Sequence, residues 1–417
     1  MATGKHIPAL DGLRFFAAFF VLIAHYTHWV LNDQKIANSL TNGISTMAGL
    51  GMALFFVLSG FVIHYNYHSI CDAPGGRKQF LWARFARLYP LYFVLFIAEF
   101  ASSFYYHRGS CGHAGVRMGF FFALPFYLTF TQAWFYSVIC QNNLIYQYHM
   151  VSSVIWSLSV EAFFYLTYLL IVRWLCSQSS LFKQISIAGF GYLVGVGLLL
   201  WFDHYSSAID RVAEVAFGPI ATVQHNYQDS LLRWLNYFNP LINLPAFVCG
   251  AVAANIHLSL KDKAPTRVEK AISGYVVTGC VVATLAAHLS VYLMIAPHNP
   301  FFGRNGSLLY VPMVTVLVYV LSHYPQALCS RAIGSKLTVK LGEASYSIYL
   351  LHAFLGWNAR DYYYLNLNPW LLYITAVISI LVISRISFLC FERPVQRWLR
   401  NLAQHVPSGK ANIVGTP

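Results

Sequence analysis

The sequence predicts an all-α fold, a polytopic integral membrane bundle of about ten transmembrane helices with both termini in the cytosol. Three observations lead there. Only 10% of the 417 residues are charged while 58% are hydrophobic, and the mean hydropathy is +0.54, a balance foreign to a soluble domain of this size. Apolar stretches of roughly 20 residues, the length that crosses a bilayer, recur from Phe15 to Phe388 without a long polar interruption. The 27 Lys and Arg residues are dealt out between those stretches with a bias to one side, the positive-inside pattern.

Cutting the apolar runs at charged or Pro/Gly-rich loops gives spans at about 13–31, 44–66, 88–106, 156–175, 185–202, 240–258, 271–295, 307–323, 342–358 and 370–390. With the N-terminus inside, the inner loops carry Arg77, Lys78, Arg84 and Arg87, then Arg173 and Lys183, then Lys261, Lys263, Arg267 and Lys270, then Arg331, Lys336 and Lys340. The segment 120–138 is apolar enough to span, yet a full crossing there would put the later basic loops outside. It is read as a re-entrant or interfacial element, which suits Pro125 and the aromatics Phe126, Tyr127, Trp134, Phe135 and Tyr136. The loop from about 203 to 239 is the longest polar stretch outside, with room for a small helical cover.

The net charge of +13 does not gather on one face or tail, so nucleic acid is not an expected partner. The first apolar run has no small-residue cleavage site after it and is expected to be an uncleaved span. Eight cysteines form no Cys-x-x-Cys pair, so neither a metal site nor a redox motif is expected. Cys111 and Cys140 share the outer side and are a candidate bridge, or two ordinary small apolar residues. No internal repeat supports an inverted-repeat transporter.

Ionisable groups inside spans are costly and point to function. Asp11, Arg14 and His25 lie on the first span. At about 100° per residue, His25 falls within roughly 20° of Arg14 and 40° of Asp11, so all three share a face. The rise puts Arg14 and His25 roughly 16 Å apart, one at the inner boundary and the other near the midplane. Trp156, Ser157 and Glu161 come from Trp-Ser-Leu-Ser-Val-Glu at the outer start of the fourth span. Ser157 and Glu161 share one helix face, and the carboxylate there either orients a histidine or hydroxyl, or serves as a helix cap. Arg84 and Arg87 form Arg-Phe-Ala-Arg on an inner loop. Paired guanidiniums suit phosphate, although any inner loop is expected to be basic. Ser345, Tyr349 and His352 follow an i, i+4, i+7 stripe on the ninth span that should face the bundle interior. Glu392 near the end of the last span reads as mainly structural.

Taken in order, these motifs resemble the acyltransferase-3 family of membrane-bound acyltransferases. Leu-Asp-Gly-Leu-Arg followed by His25 resembles its Arg-x10-His signature, and Phe-Phe-Val-Leu-Ser-Gly-Phe-Val-Ile at 55–63 resembles its second span. Arg-Phe-Ala-Arg at 84–87, Trp-Ser-Leu-Ser-Val-Glu at 156–161, Ser-Tyr-Ser-Ile-Tyr-Leu-Leu-His at 345–352, and Glu392 with Pro394 follow in the family's order. The resemblance covers about 6–400 as a membrane-embedded domain and leaves 401–417 as a short flexible cytosolic tail. Some members carry a further extracytoplasmic hydrolase-like domain, and this chain is expected to be the stand-alone form.

The resemblance implies transfer of an acyl group, commonly acetyl, from cytosolic acyl-CoA to a hydroxyl, often of a cell-surface glycan. A bacterial inner membrane is the expected location. Arg84 and Arg87 would then hold the CoA phosphates, Arg14, fixed by Asp11, would fix the donor arm or phosphate, and His25 would be the general base, a residue type whose unperturbed pKa lies near neutrality. Glu161 would orient the imidazole or the acceptor, and Trp156, Ser157, Tyr349 and His352 would contact the acceptor. A covalent acyl-histidine, a small-molecule or cytosolic-face acceptor, and a proton-coupled transporter are the alternatives.

Overall fold

The computed structural model describes residues 6–32, 39–70, 74–106, 112–139, 142–146, 152–178, 180–261, 266–290, 306–358 and 368–404. In chain order the helices are α1 (Pro8–Tyr26), α2 (Ser39–Ser45), α3 (Met47–Tyr67), α4 (Gly76–Tyr106), α5 (Gly112–Leu128) and α6 (Ser152–Ser177). Next come α7 (Leu181–His204), α8 (Ser206–Phe217), α9 (Val223–Asn226), α10 (Leu231–Arg233), α11 (Pro240–Leu260) and α12 (Arg267–Ser290). The series ends with α13 (Gly306–His323), α14 (Leu328–Ile333), α15 (Lys336–Glu343), α16 (Ser345–Asn358), α17 (Pro369–Ser387) and α18 (Arg393–Gln404). Short π-helical stretches extend α1 over Thr27–Asn32, precede α11 over Trp234–Phe238 and follow α17 over Phe388–Glu392. The one described sheet is a two-residue antiparallel ladder pairing Val138 with Asn143 and Ile139 with Asn142.

Among the described residues, eight helices are long and apolar enough to cross a membrane, and Ser307–His323 is a shorter apolar helix. The chain is a multi-pass integral membrane protein, and these nine correspond to nine of the ten expected spans. The remaining one, 342–358, breaks at Ala344 between α15 and α16. The Cys111–Cys140 pair lies outside the described residues, as does 405–417.

The centre of the bundle is α3, packed between α1, α11 and α13. Lipid supplies no hydrophobic drive between helices, so small residues that let backbones close up decide such contacts. A side chain on Gly60 would run into the Phe247 carbonyl, and one on Gly250 into the Val57 carbonyl. These two glycines therefore hold α3 and α11 at backbone contact. Gly12 and Gly342 do the same for α1 against Ile333 and against the Asp11 backbone. The rim is made by α7 and α12, whose apolar stretches are mostly exposed. Phe182, Phe190 and Tyr275 on these helices are 78%, 72% and 82% exposed, as lipid-facing residues should be.

Three expectations change. The fourth helix in the chain, α4, begins at Gly76 rather than near residue 88, so Arg84 and Arg87 sit on a helix and not on a loop. Pro90, near the expected start of that span, lies inside α4. Spanning 31 residues, α4 is about 46 Å long, more than the roughly 30 Å hydrocarbon core, so its basic first turns extend past it. Third, α1 begins at Pro8 in a 24-residue span. Arg14 is then about 9 Å and His25 about 26 Å along it, which moves His25 from the midplane into the far half.

The segment 120–138 is helical only in its first part. Helix α5 ends at Leu128, Phe130 has a φ of 56°, and the chain then turns along α6. Gln132 donates to the Ile155 carbonyl (3.2 Å), the Ala133 N–H to Ser159 Oγ (3.1 Å) and Trp134 to the Ser159 carbonyl (3.0 Å). Irregular backbone is tolerated at such a place because protein groups satisfy it. The 203–239 stretch forms the expected cover of short helices, tied down where the Tyr136 hydroxyl donates to the Asp229 carbonyl (2.6 Å).

Replacing Gly60 or Gly250 by Val should separate α3 from α11 and lower the detergent melting temperature, by about 1–3 kcal/mol of overpacking or more. Gly274→Val on the rim, where a side chain meets nothing within 4 Å, should leave the melting temperature within error.

Candidate active site

Two clefts open toward opposite ends of the bundle and share a wall. The first is lined by Arg14, Arg84, Arg87, Ser157, Glu161 and Ser345 among others. The second is lined by His25, Trp29, Trp156, Gln228, Arg233 and Tyr237 among others. Met52 and Tyr349 line both.

The first cleft is cationic. Its lining carries three guanidiniums against the single carboxylate of Glu161. Arg14 Nη1 donates to Asp11 Oδ1 (2.9 Å), and Asp11 Oδ2 faces His6 Nε2 at 2.6 Å. Asp11 also suits the first turn of α1, where an acid complements the helix dipole. Arg84 is buried, and its Nη2 donates to the Tyr67 hydroxyl (3.0 Å). Its guanidinium lies over the rings of Tyr67, Phe80 and Tyr165, at 5.0, 5.8 and 5.8 Å from their centroids, while Nε makes no hydrogen bond. Arg87 stands close enough to Arg14 to repel it, and Arg400 from α18 is within electrostatic reach of both Arg84 and Arg87. Cations brought together around so little opposite charge suit a polyanionic ligand.

The second cleft is built around a chain of imidazoles. His25 Nδ1 and His352 Nε2 are 2.8 Å apart, and His352 Nδ1 is 3.2 Å from the Ile348 carbonyl. A carbonyl only accepts, so the His352 proton sits on Nδ1. Its Nε2 is then an acceptor, and His25 must donate through Nδ1–H. The lone pair of neutral His25 is thereby fixed on Nε2, which has no hydrogen-bond partner among the described residues. Trp29 lies nearly parallel to His25, 15° between planes and 5.3 Å between centroids, and is also stacked with His352, 17° and 6.3 Å. Gly356 leaves the space in which the Trp29 ring rests.

Between the clefts, the Tyr349 hydroxyl donates to the Val154 carbonyl (2.9 Å) and pairs with Ser157 Oγ (2.8 Å). Ser345 lines the first cleft, Tyr349 lines both, and His352 holds His25 beside the second. The i, i+4, i+7 stripe of α16 thus runs from one cleft to the other.

Comparison with known proteins fits this arrangement. Residues 7–388 match the acyltransferase-3 family, described as an acyltransferase domain. The chain belongs to the acyltransferase-3 family. It is 22% identical to the O-acetyltransferase OatA of Staphylococcus aureus strain NCTC 8325, over 95% of this chain and 58% of that one. It is 30% identical to the acyltransferase MdmB of Streptomyces mycarofaciens over 39% of this chain and 38% of the relative. Nodulation protein 10 of Rhizobium leguminosarum bv. viciae is 26% identical over 40% of this chain and 44% of the relative. The chain thus spans between about a third and two thirds of the length of these relatives. No solved structure matches.

The ten residues given site roles in the sequence all bear on the two clefts, but two of them do so in altered roles. Glu161 is not at the outer start of its helix and does not orient His25. It lies about 14 Å into α6, on the cleft of the arginines, and accepts from Ser59 Oγ (3.2 Å) and the Tyr165 hydroxyl (2.5 Å). His352, expected to contact the acceptor, is instead the hydrogen-bond partner of His25. Tyr165 follows Glu161 at i+4, a spacing that marks it in the sequence. Trp29 stands at i+4 from His25 in the same way. Nothing in sequence spacing marks Arg233 or Arg400, which reach the clefts through tertiary packing.

On the cover, burial pushes the Asp229 carboxyl up, against the opposing pull of the Asn143 N–H and the Arg233 guanidinium. Burial and then Asp229 push the Tyr136 phenol up as well. A carboxyl raised in the folded state favours folding fully below the usual carboxylate pKa of about 3.9. That contribution is lost as pH rises through the raised value. Asp229→Asn should therefore flatten the fall in melting temperature over this acidic-to-neutral window.

Proposed function

We propose that the chain transfers an acyl group, most simply acetyl, from cytosolic acyl-CoA to a hydroxyl of an extracytoplasmic glycan, with His25 as general base. The observation that carries this reading is the pair of clefts meeting at Tyr349 and Met52. One has the guanidiniums that nucleotide phosphates need. The other has a histidine whose tautomer leaves its base nitrogen open. Basic residues concentrate at the end of the first cleft, so the positive-inside rule assigns that end to the cytosol, where CoA is found. OatA is by its name an O-acetyltransferase, which favours acetyl and a hydroxyl acceptor.

Arg84, Arg87 and Arg400 would hold the CoA phosphates, with the thioester arm passing Arg14 toward Tyr349. As the acceptor oxygen attacks the thioester carbon, its proton passes to His25 Nε2. The imidazolium is stabilised by the Nδ1–H bond to His352, itself anchored on the Ile348 carbonyl. When the tetrahedral intermediate collapses, the C–S bond breaks and the thiolate leaves with the proton from His25. The Ser157 and Tyr349 hydroxyls stand at the junction, where a donor would stabilise the developing oxyanion. This direct route uses no acyl-histidine.

Purified protein in sealed vesicles, given labelled acetyl-CoA on one face, should form product only with acceptor on the opposite face. Product formed solely with both on one face would refute the transbilayer reading. His25→Ala should lower kcat/KM by about 10²- to 10⁴-fold with normal membrane insertion. His352→Gln keeps an acceptor for Nδ1–H and should retain more activity than His352→Ala, which should lose about tenfold or more. Arg87→Ala should raise KM for acetyl-CoA more than it lowers kcat. Rapid quench without acceptor should trap no acyl-enzyme.

A further inference from the structure

Arg233 lines the His25 cleft, yet general-base chemistry makes no use of it. It belongs to the cover, on the single turn of α10, where its N–H donates to the capping Ser230 Oγ (3.1 Å). Its guanidinium carbon lies 5.3, 5.2 and 5.2 Å from the ring centroids of Tyr227, Tyr237 and Phe238. Three rings fix the plane of the fork and take it partly out of water. Its Nε is buried without a hydrogen bond, and among the described residues no carboxylate oxygen pairs with it. Asp229 is near enough to interact electrostatically, but its oxygens are engaged elsewhere. Oδ1 accepts from the Asn143 N–H (3.1 Å) and Oδ2 from Asn226 Nδ2 (2.6 Å).

A guanidinium held on aromatic rings and short of an oxyanion is unfavourable by itself and favourable once a ligand supplies one. The same cleft offers the apolar rings of Trp29, Trp156 and Tyr237. Flat apolar faces beside a fixed cation suit a sugar ring that carries an acidic group. We propose that Arg233 is a specificity-determining residue for the acceptor and selects a sugar bearing an oxyanion, carboxylate or phosphate, near the hydroxyl presented to His25. This rests on the reading of the His25 cleft as the acceptor side.

The full chain in lipid nanodiscs would be titrated calorimetrically with methyl β-D-glucoside, methyl β-D-glucuronide and α-D-glucose 1-phosphate. At least one charged sugar should bind about tenfold or more tightly than the neutral one, the worth of a charge-assisted hydrogen bond. Which of the two prevails separates a carboxylate source from a phosphate one. Arg233→Gln should abolish the preference and Arg233→Lys should keep part of it. CoA affinity, read at the opposite cleft, should be the same in all three proteins and reports that each is folded. No charged sugar bound better than the glucoside, or a preference that survives in Arg233→Gln, overturns the proposal. Failure of CoA to bind the unaltered protein would instead undo the functional reading, and the sugar titration would still show whether Arg233 selects anions.

Discussion

A polar group in hydrocarbon has no water to turn to, so each one must find a partner in protein or line a cavity. The interior of this bundle is arranged by that requirement. Asp11 takes Arg14, Tyr165 and Ser59 take Glu161, Ser347 donates to Glu392 at 2.6 Å, and His25 takes His352. Asp11–Arg14 and Glu161–Tyr165 lie one turn apart on one helix, while Ser59–Glu161, Ser347–Glu392 and His25–His352 join different helical segments. The polar groups therefore fix helix rotation as firmly as the glycine contacts of α3 with α11 fix helix distance.

Partner counting also separates a histidine with both ring nitrogens engaged from one with a nitrogen left open. His64 is fully buried on α3. Its Nε2 donates to Asn255 Oδ1 (3.1 Å), and its Nδ1 accepts from the Tyr168 hydroxyl (3.2 Å). Asn255 in turn donates to Gln184 Oε1 and the Leu175 carbonyl, both at 3.2 Å. Both ring nitrogens are spent, and the knot ties α3, α6, α7 and α11 together. His25 has the same kind of support at Nδ1 and an open Nε2 in a cleft. The chemistry of an imidazole depends on that difference, and burial alone does not reveal it.

Most of the fold was legible because hydropathy reports directly on which helices meet lipid. Nine of the expected spans have a matching apolar helix, most with limits within a few residues. The start of α4 was not legible because Arg77, Lys78, Arg84 and Arg87 look like a loop to a hydropathy reading, while the backbone stays helical past the bilayer edge. The site was legible where helical periodicity governs it. Asp11, Arg14 and His25 share a face, and the Ser345, Tyr349, His352 stripe faces inward. Which residue meets which was not legible. Pairing His25 with Glu161 was a guess from charge, and the actual partner, His352, sits 327 positions away on another helix. Arg233 was invisible because its setting is made by the rings of Tyr227, Tyr237 and Phe238, and a three-residue helix has no periodicity to read.

The two clefts share Tyr349 and Met52 in their linings, and the proposed reaction gives that shared wall a reason. A thioester donor and a hydroxyl acceptor must touch at one carbon, yet a continuous water path between them would favour hydrolysis and would breach the membrane. Tyr349 and Met52 stand at that meeting point. Tyr349 is pinned through its hydroxyl to Val154 and Ser157, whereas Met52 is unbranched and adaptable. One wall thus holds a fixed hydroxyl and a side chain that can give way to a thioester arm. Under the proposed function, a small acyl group would pass at this shared wall, between the cleft of the arginines and the cleft of His25.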